Sequence, residues 1–168
     1  MNAPVKPDTL PEWRLDDLYA GRNDPRIEVD LAAAKQANDA LAAMKGRFVA
    51  AGDDPVTLGA LLDEGVRLYE EATNGLWAVG AFASLSASTA RDDPAWAKFE
   101  ADLRARSAQI AAESLFFTLE INELEDEKIE AAFTAFPALG RWRPWIRRVR
   151  LGRPHELSPD LERMLVDR

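Results

Sequence analysis

One histidine, His155, sits in the run Arg153-Pro154-His155-Glu156-Leu157-Ser158, and its neighbours open the zinc-binding pattern His-Glu-x-x-His. That pattern works because two histidines four residues apart share one helix face and hold the same ion, while the intervening glutamate acts as general base. Here the position that needs the second histidine is Pro159, and the chain has no other histidine. Ser158-Pro159 also has the form of a helix start, at the point where the motif needs an unbroken helix. A two-histidine zinc site therefore cannot be assembled from these residues. The plain expectation for His155 is a loop residue hydrogen-bonded to backbone or packed beneath a helix end.

The residues just before it raise a second chemistry. "RWRPWIRRVRLGR" (141–153) carries arginines at 141, 143, 147, 148, 150 and 153 beside Trp142 and Trp145. Positive charge interleaved with aromatic rings is what a nucleic-acid contact uses. The chain as a whole has a net charge of −8, so these six arginines leave −14 on the remainder. Read as a helix, Trp142, Trp145, Ile146 and Val149 share one face, and Arg143, Arg147 and Arg150 fall elsewhere. The tryptophans are expected in the core and the arginines on its rim, paired with acidic neighbours. Neither nucleic acid nor membrane is expected as a partner.

Carboxylate clusters are plentiful at Glu70/Glu71, Glu120/Glu123 and Glu125/Asp126/Glu127. A di-iron site in a helical bundle would need Glu-x-x-His on two helices, and none is present. Nothing in the spacing selects one pair for acid–base work, so solvated helix faces are the expected role. The serines of "ASLSAS" (83–88) have no histidine in a readable triad, and no glycine-rich phosphate loop appears. With no cysteine, there is neither a disulfide framework nor a thiolate site. No catalytic, cofactor-binding or metal-ligating residue is assigned in this chain.

The elements that position these residues are helices. Asp24-Pro25, Asp54-Pro55 and Asp93-Pro94 each read as an N-cap followed by proline in the first turn. From the first, Ile27, Leu31, Ala34, Leu41, Met44 and Phe48 form a stripe to about residue 50, interrupted by polar Asn38. The second opens a helix over 55–89, with Gly65, Gly75 and Gly80 marking a kink or the close approach of another helix. The third opens a helix over 94–124, roughly 31 residues and about 46 Å long, whose Leu115, Phe116 and Leu119 add a second apolar face. A helix apolar on two faces is sandwiched between partners. A short helix over 124–136 stopped by Pro137, a helical segment over 138–151 and a last helix from Ser158-Pro159 complete the series. No alternating strand pattern occurs. The expected fold is all-α: a long antiparallel hairpin (about 55–89 and 94–124) within a multi-helix bundle, preceded by an extended segment over 1–23. The first residues lack the form of a signal peptide, and no window holds 18 uninterrupted apolar residues, which fits a cytoplasmic location.

Three stretches carry a family resemblance. "LPEWRLDDLYAGRNDPRIEVDL" (10–31) holds Trp13, Asp17-Leu18-Tyr19, Asp24-Pro25 and Asp30-Leu31 in order. "LFFTLEINEL" (115–124) is an apolar segment with an acidic end, and "LGRWRPWIRRVRLGRPHELSPDLERML" (139–165) joins an aromatic–basic helix to an acidic one. Together these resemble the N-terminal region of the oligoendopeptidase F family, within the thimet-oligopeptidase-like zinc metallopeptidases, over nearly all 168 residues. The resemblance implies that residues 24–168 are a helical, non-catalytic domain of a longer enzyme, ending short at 168 as a fragment, a proteolytic remnant or a natural short paralogue. It places the zinc ligands, two histidines and a glutamate, in a C-terminal catalytic domain outside this chain. It also implies that the N-terminal helices wall a channel admitting short, unstructured oligopeptides. The expected partners are that catalytic domain and its oligopeptide substrate, with self-association through exposed apolar helix faces when the domain is missing. The alternative is a stand-alone all-helical interaction or scaffold module.

Overall fold

A computed structural model of the chain describes residues 14–153. The described residues are all-α: helices α1 (Pro25–Ala42), α2 (Arg47–Ala50), α3 (Pro55–Thr89), α4 (Pro94–Ala112), α5 (Leu115–Glu123), α6 (Asp126–Ala135) and α7 (Arg143–Arg150), with a 3₁₀ turn at Pro137–Trp142 before α7. The three Asp-Pro starts are where the sequence places them. The Asp24 carboxylate accepts from the Arg26 N–H at 2.9 Å, Asp54 from Val56 and Thr57 at 3.1 and 3.3 Å, and Asp93 from Ala95 at 2.9 Å. Each satisfies backbone donors that the first helical turn leaves without partners.

Helix α3 is the axis of the fold. It packs on α1 along one flank and on α4 and α6 along others. Two apolar cores form along it. One gathers Leu41, Phe48, Leu58, Leu62, Val66, Phe117, Ile121, Leu139 and Ile146. The other gathers Tyr19, Ile27, Leu31, Val79, Phe82 and Leu103, with Trp96 and Phe99 packed against it. Close approach explains two of the α3 glycines. A Cβ on Gly65 would lie 2.7 Å from the Phe117 ring, and one on Gly75 would lie 3.1 Å from the Ala34 Cβ. Gly80 meets nothing within 4 Å, so no close helix accounts for it.

Four expectations need correction. The first helix does not run to residue 50. It ends at Ala42, and Gly46 turns the chain with φ +80°, in the left-handed region that glycine adopts without a steric penalty. The Glu120 carboxylate accepts the Gly46 N–H at 2.7 Å, and the turn folds Phe48 back onto Phe117, ring centroids 5.1 Å apart.

The helix expected over 94–124 breaks at Glu113–Ser114, leaving α4 with 19 residues, about 28 Å. The cause lies on another element. Asn38 of α1 donates from Nδ2 to the Ile110 carbonyl at 2.8 Å, while the Ser114 N–H turns to Ala111 at 3.2 Å. The carbonyl that would have bonded Ser114 to continue the helix is thus held by Asn38, which also accounts for the polar interruption in the α1 stripe. Beyond the break, α5 is sandwiched as its two apolar faces require, touching α2 and α7.

Residues 14–23 are not extended. Leu18 and Tyr19 turn back to the Leu15 carbonyl, and the Ala20 N–H donates to Asp24. The reason is Tyr19, which is buried, sets its ring edge-on to Phe82 at 5.2 Å and donates its hydroxyl to Asp30 at 2.7 Å. Likewise the segment over 138–151 is two pieces, the 3₁₀ turn and α7. Trp13, His155 and the helix start at Ser158-Pro159 lie outside the described residues. No helix among those described is long and apolar enough to cross a membrane.

Candidate functional site

The aromatic–basic segment is consumed by packing and ion pairs. Trp142 donates its indole N–H to Asp63 of α3 at 2.9 Å, and Arg141 reaches the same carboxylate at 2.9 Å while lying over the Trp142 ring. Trp145 stacks on Phe117 with centroids 6.0 Å apart and planes 20° apart, and touches Tyr69. Arg143 pairs with Glu130 at 2.7 Å and covers the Phe133 ring at 3.9 Å. Arg147 lies 3.7 Å from Glu130. Arg150 pairs with Asp126 and caps the end of α5, donating to the carbonyls of Ile121 at 2.6 Å and Leu124 at 2.9 Å. These last carbonyls of α5 would otherwise lack donors. The Arg150 guanidinium holds the Asp126 carboxyl below its ordinary range, and Arg143 does the same for Glu130. Arg148 and Arg153 form no ion pair with another described residue, and the Arg153 charge adds to the lowering of the Asp126 carboxyl. The tryptophans face inward and the arginines pair around them, as helical phasing predicts.

The acidic clusters do not converge. Among the described residues no three His, Cys, Asp or Glu side chains are placed to hold a metal ion. Glu71 pairs with Arg67, and Asp126 is taken by Arg150. Glu120 differs. It is 8% exposed, burial pushes its carboxyl above the ordinary range, and its Oε2 has no hydrogen-bond partner while Oε1 accepts from Gly46. It acts as a clamp on the α1–α2 turn. In "ASLSAS", Ser86 is buried and Ser88 donates to the Ser84 carbonyl within the helix at 2.8 Å. Ser86 thus takes part in packing, and the Ser88 hydroxyl bonds to the helix backbone.

A groove to which the sequence reading assigns no role is also present. It lies between α3, α4 and the start of α5. The space between them is an open cavity of about 750 Å³, walled by Leu76, Gly80, Ala81, Leu103, Ala108 and Leu115 among others. Asn38 and Ser107 also reach it, and the Asn38 Oδ1 and Ser107 Oγ are buried without a partner. Trp77 stands at the rim, 74% exposed. Two signals for this groove were present in the sequence: Trp77 falls off the apolar stripe of α3, and Asn38 interrupts that of α1.

Comparison with known proteins gives one match. The model of the family described as Oligopeptidase F matches residues 120–168. This stretch takes in most of α5, then α6, the 3₁₀ turn and α7, together with residues beyond those described. The stretch over 10–31 that contributes to the resemblance lies outside the match. Among curated proteins and among solved structures nothing matches. Residues 120–168, less than a third of the chain, are thus similar to the Oligopeptidase F family, in line with the resemblance read from the sequence.

Proposed function

We propose that this chain is the helical, channel-forming N-terminal region of a zinc-dependent oligoendopeptidase that hydrolyses internal peptide bonds of short peptides, and that it is inactive by itself. The observation that carries the reading is the family match over 120–168. Packing supports extending it to the rest of the described chain, because Trp142 and Trp145 of the matched stretch bind α3 directly. The residues in hand do not fit zinc. The described carboxylates form no ligand group, and a chain with one histidine cannot supply the pair a His-Glu-x-x-His helix needs. No catalytic step is therefore assigned to residues of this chain. The metal and the general base belong, on this reading, to a C-terminal domain, which would be the chain's partner together with the oligopeptide. The purified 168 residues are expected to hold no stoichiometric zinc and to leave a quenched fluorogenic oligopeptide intact. One tightly bound zinc per chain, with cleavage, would overturn the reading.

A second reading, a stand-alone interaction module, is favoured by a specific feature: the open groove with exposed Trp77 at its edge. Pull-down of a stable partner through that face, by a chain whose reading frame encodes no peptidase domain, would select it.

A further inference from the structure

Internal ion pairing leaves part of the basic segment over. Asp126 is held by Arg150. Glu130 is shared between Arg143 at 2.7 Å and Arg147 at 3.7 Å. Arg148 and Arg153 form no ion pair with another described residue. Positive charge thus exceeds the carboxylates that reach it, in a chain that is otherwise acidic. A cation in the last turn suits the negative end of a helix, which explains one such residue and not a cluster. Arg143 and Arg147, four apart on one helix, repel each other, so the crowding works against the fold.

The surplus has a defined place. Trp142, Trp145 and Ile146 turn one side of α7 into the core, and Arg143 and Arg150 tie its flanks to Glu130 and to the end of α5. The opposite side is presented on a fixed helix. Arg147, with its side chain 65% exposed, and exposed Arg148 lie there. Leu151 continues the helical backbone, falls one turn beyond Arg147 and is 77% exposed. At 3.6 residues per turn these three side chains share one side of the helix. Two guanidinium forks beside an aliphatic side chain match carboxylates carried next to an apolar residue. Nucleic acid matches less well. It needs exposed rings for stacking and a broadly positive field, whereas both tryptophans of the segment pack on the core and the chain carries −8.

We propose that the outer side of α7, made of Arg147, Arg148 and Leu151, is a docking surface for an acidic peptide segment of a partner protein. Carboxylates of that segment engage the two guanidinium groups, and an aliphatic side chain between them covers Leu151. The proposal does not rest on the peptidase reading: the surface is the same whatever domain accompanies it.

The test is fluorescence anisotropy of a short dye-labelled peptide of glutamate and leucine, titrated with the 168-residue chain. Binding at low salt that weakens as salt is added is expected. The double variant Arg147→Ala/Arg148→Ala is expected to weaken it by about tenfold or more, since arginines are among the residues whose truncation costs most at interfaces. Leu151→Ser is expected to weaken it without any change of charge. The control is Arg91→Ala/Arg104→Ala, which removes the same charge from exposed positions elsewhere and is expected to bind as the parent does. Circular dichroism melting checks that each variant keeps its fold. Absence of binding at low salt overturns the proposal, as does an equal loss in the control. A single-stranded oligonucleotide of equal charge that binds more tightly through the same arginines overturns it too.

Discussion

Trp142 and Asp63, 79 residues apart, are joined by an indole N–H donated to a carboxylate at 2.9 Å. This bond ties the stretch that matches the Oligopeptidase F family to the long helix that does not fall within the match. Trp145 adds a second tie through Tyr69 and Phe117. The described part of the matched stretch, up to residue 153, is packed into the same body as the helical hairpin, and its stability is shared with it.

Replacing Trp142 with Phe keeps a ring and removes the donor. Arg141 still reaches Asp63, so the carboxylate keeps one partner. The expected loss is about 1–2 kcal/mol, read by chemical denaturation, with a larger loss for Trp142→Ala because the ring goes as well. A Phe variant as stable as the parent would show that the bond contributes nothing net.

Gly65 and Gly80 lie on the same helix and should respond in opposite senses. At Gly65 an added Cβ meets the Phe117 ring at 2.7 Å and the Phe48 ring at 3.0 Å. Neither ring can retreat in a filled core, so Gly65→Ala is expected to destabilise by about 1–3 kcal/mol. At Gly80 there is open space, and Gly80→Ala is expected to stabilise by up to about 1 kcal/mol through helix propensity. Thermal melts of the two variants check this, and equal signs would show that the helix is placed differently.

Glu120 gives a pH dependence of defined sign. Its folded carboxyl is raised above the ordinary value of 4.5, chiefly by burial. The native state therefore holds this proton more tightly than the unfolded chain, and stability from this group is fully present below pH 4.5 and is lost as pH rises through the folded value. Lys45 opposes that rise, and Glu123 adds to it. Glu120→Gln keeps an acceptor for the Gly46 N–H without the buried charge. It is expected to be more stable than the parent at neutral pH and equal to it near pH 4, by denaturant titration at the two values. A variant less stable at neutral pH would mean that the charge strengthens the clamp by more than burial costs.

Asn38→Ala leaves the Ile110 carbonyl without its side-chain donor. A loss of about 1–3 kcal/mol is expected, and with the carbonyl freed, amide exchange at Ser114 is expected to slow as the α4 helix extends across the break. Unchanged exchange there would show that another contact sets the break.

The helix starts were legible because an N-cap is local: Asp, then Pro, then an apolar stripe, all within a few residues. The inward tryptophans of 142–149 were legible for the same reason, since phasing on one short helix decides which side chains turn in. The break at Ser114 was not, because its cause is Asn38, more than 70 residues earlier, and periodicity continues across it. The same holds for the turn at Gly46, fixed by Glu120 from another helix. Least legible was the groove, which is a gap between helices rather than a property of any one of them.

The central claim is that these 168 residues are the N-terminal part of a zinc oligoendopeptidase. Sequencing the encoding reading frame past the codon for Arg168 tests it most directly. The account predicts a continuous frame that encodes a His-Glu-x-x-His helix and a later glutamate ligand. A stop codon immediately after Arg168 in the native gene would contradict it.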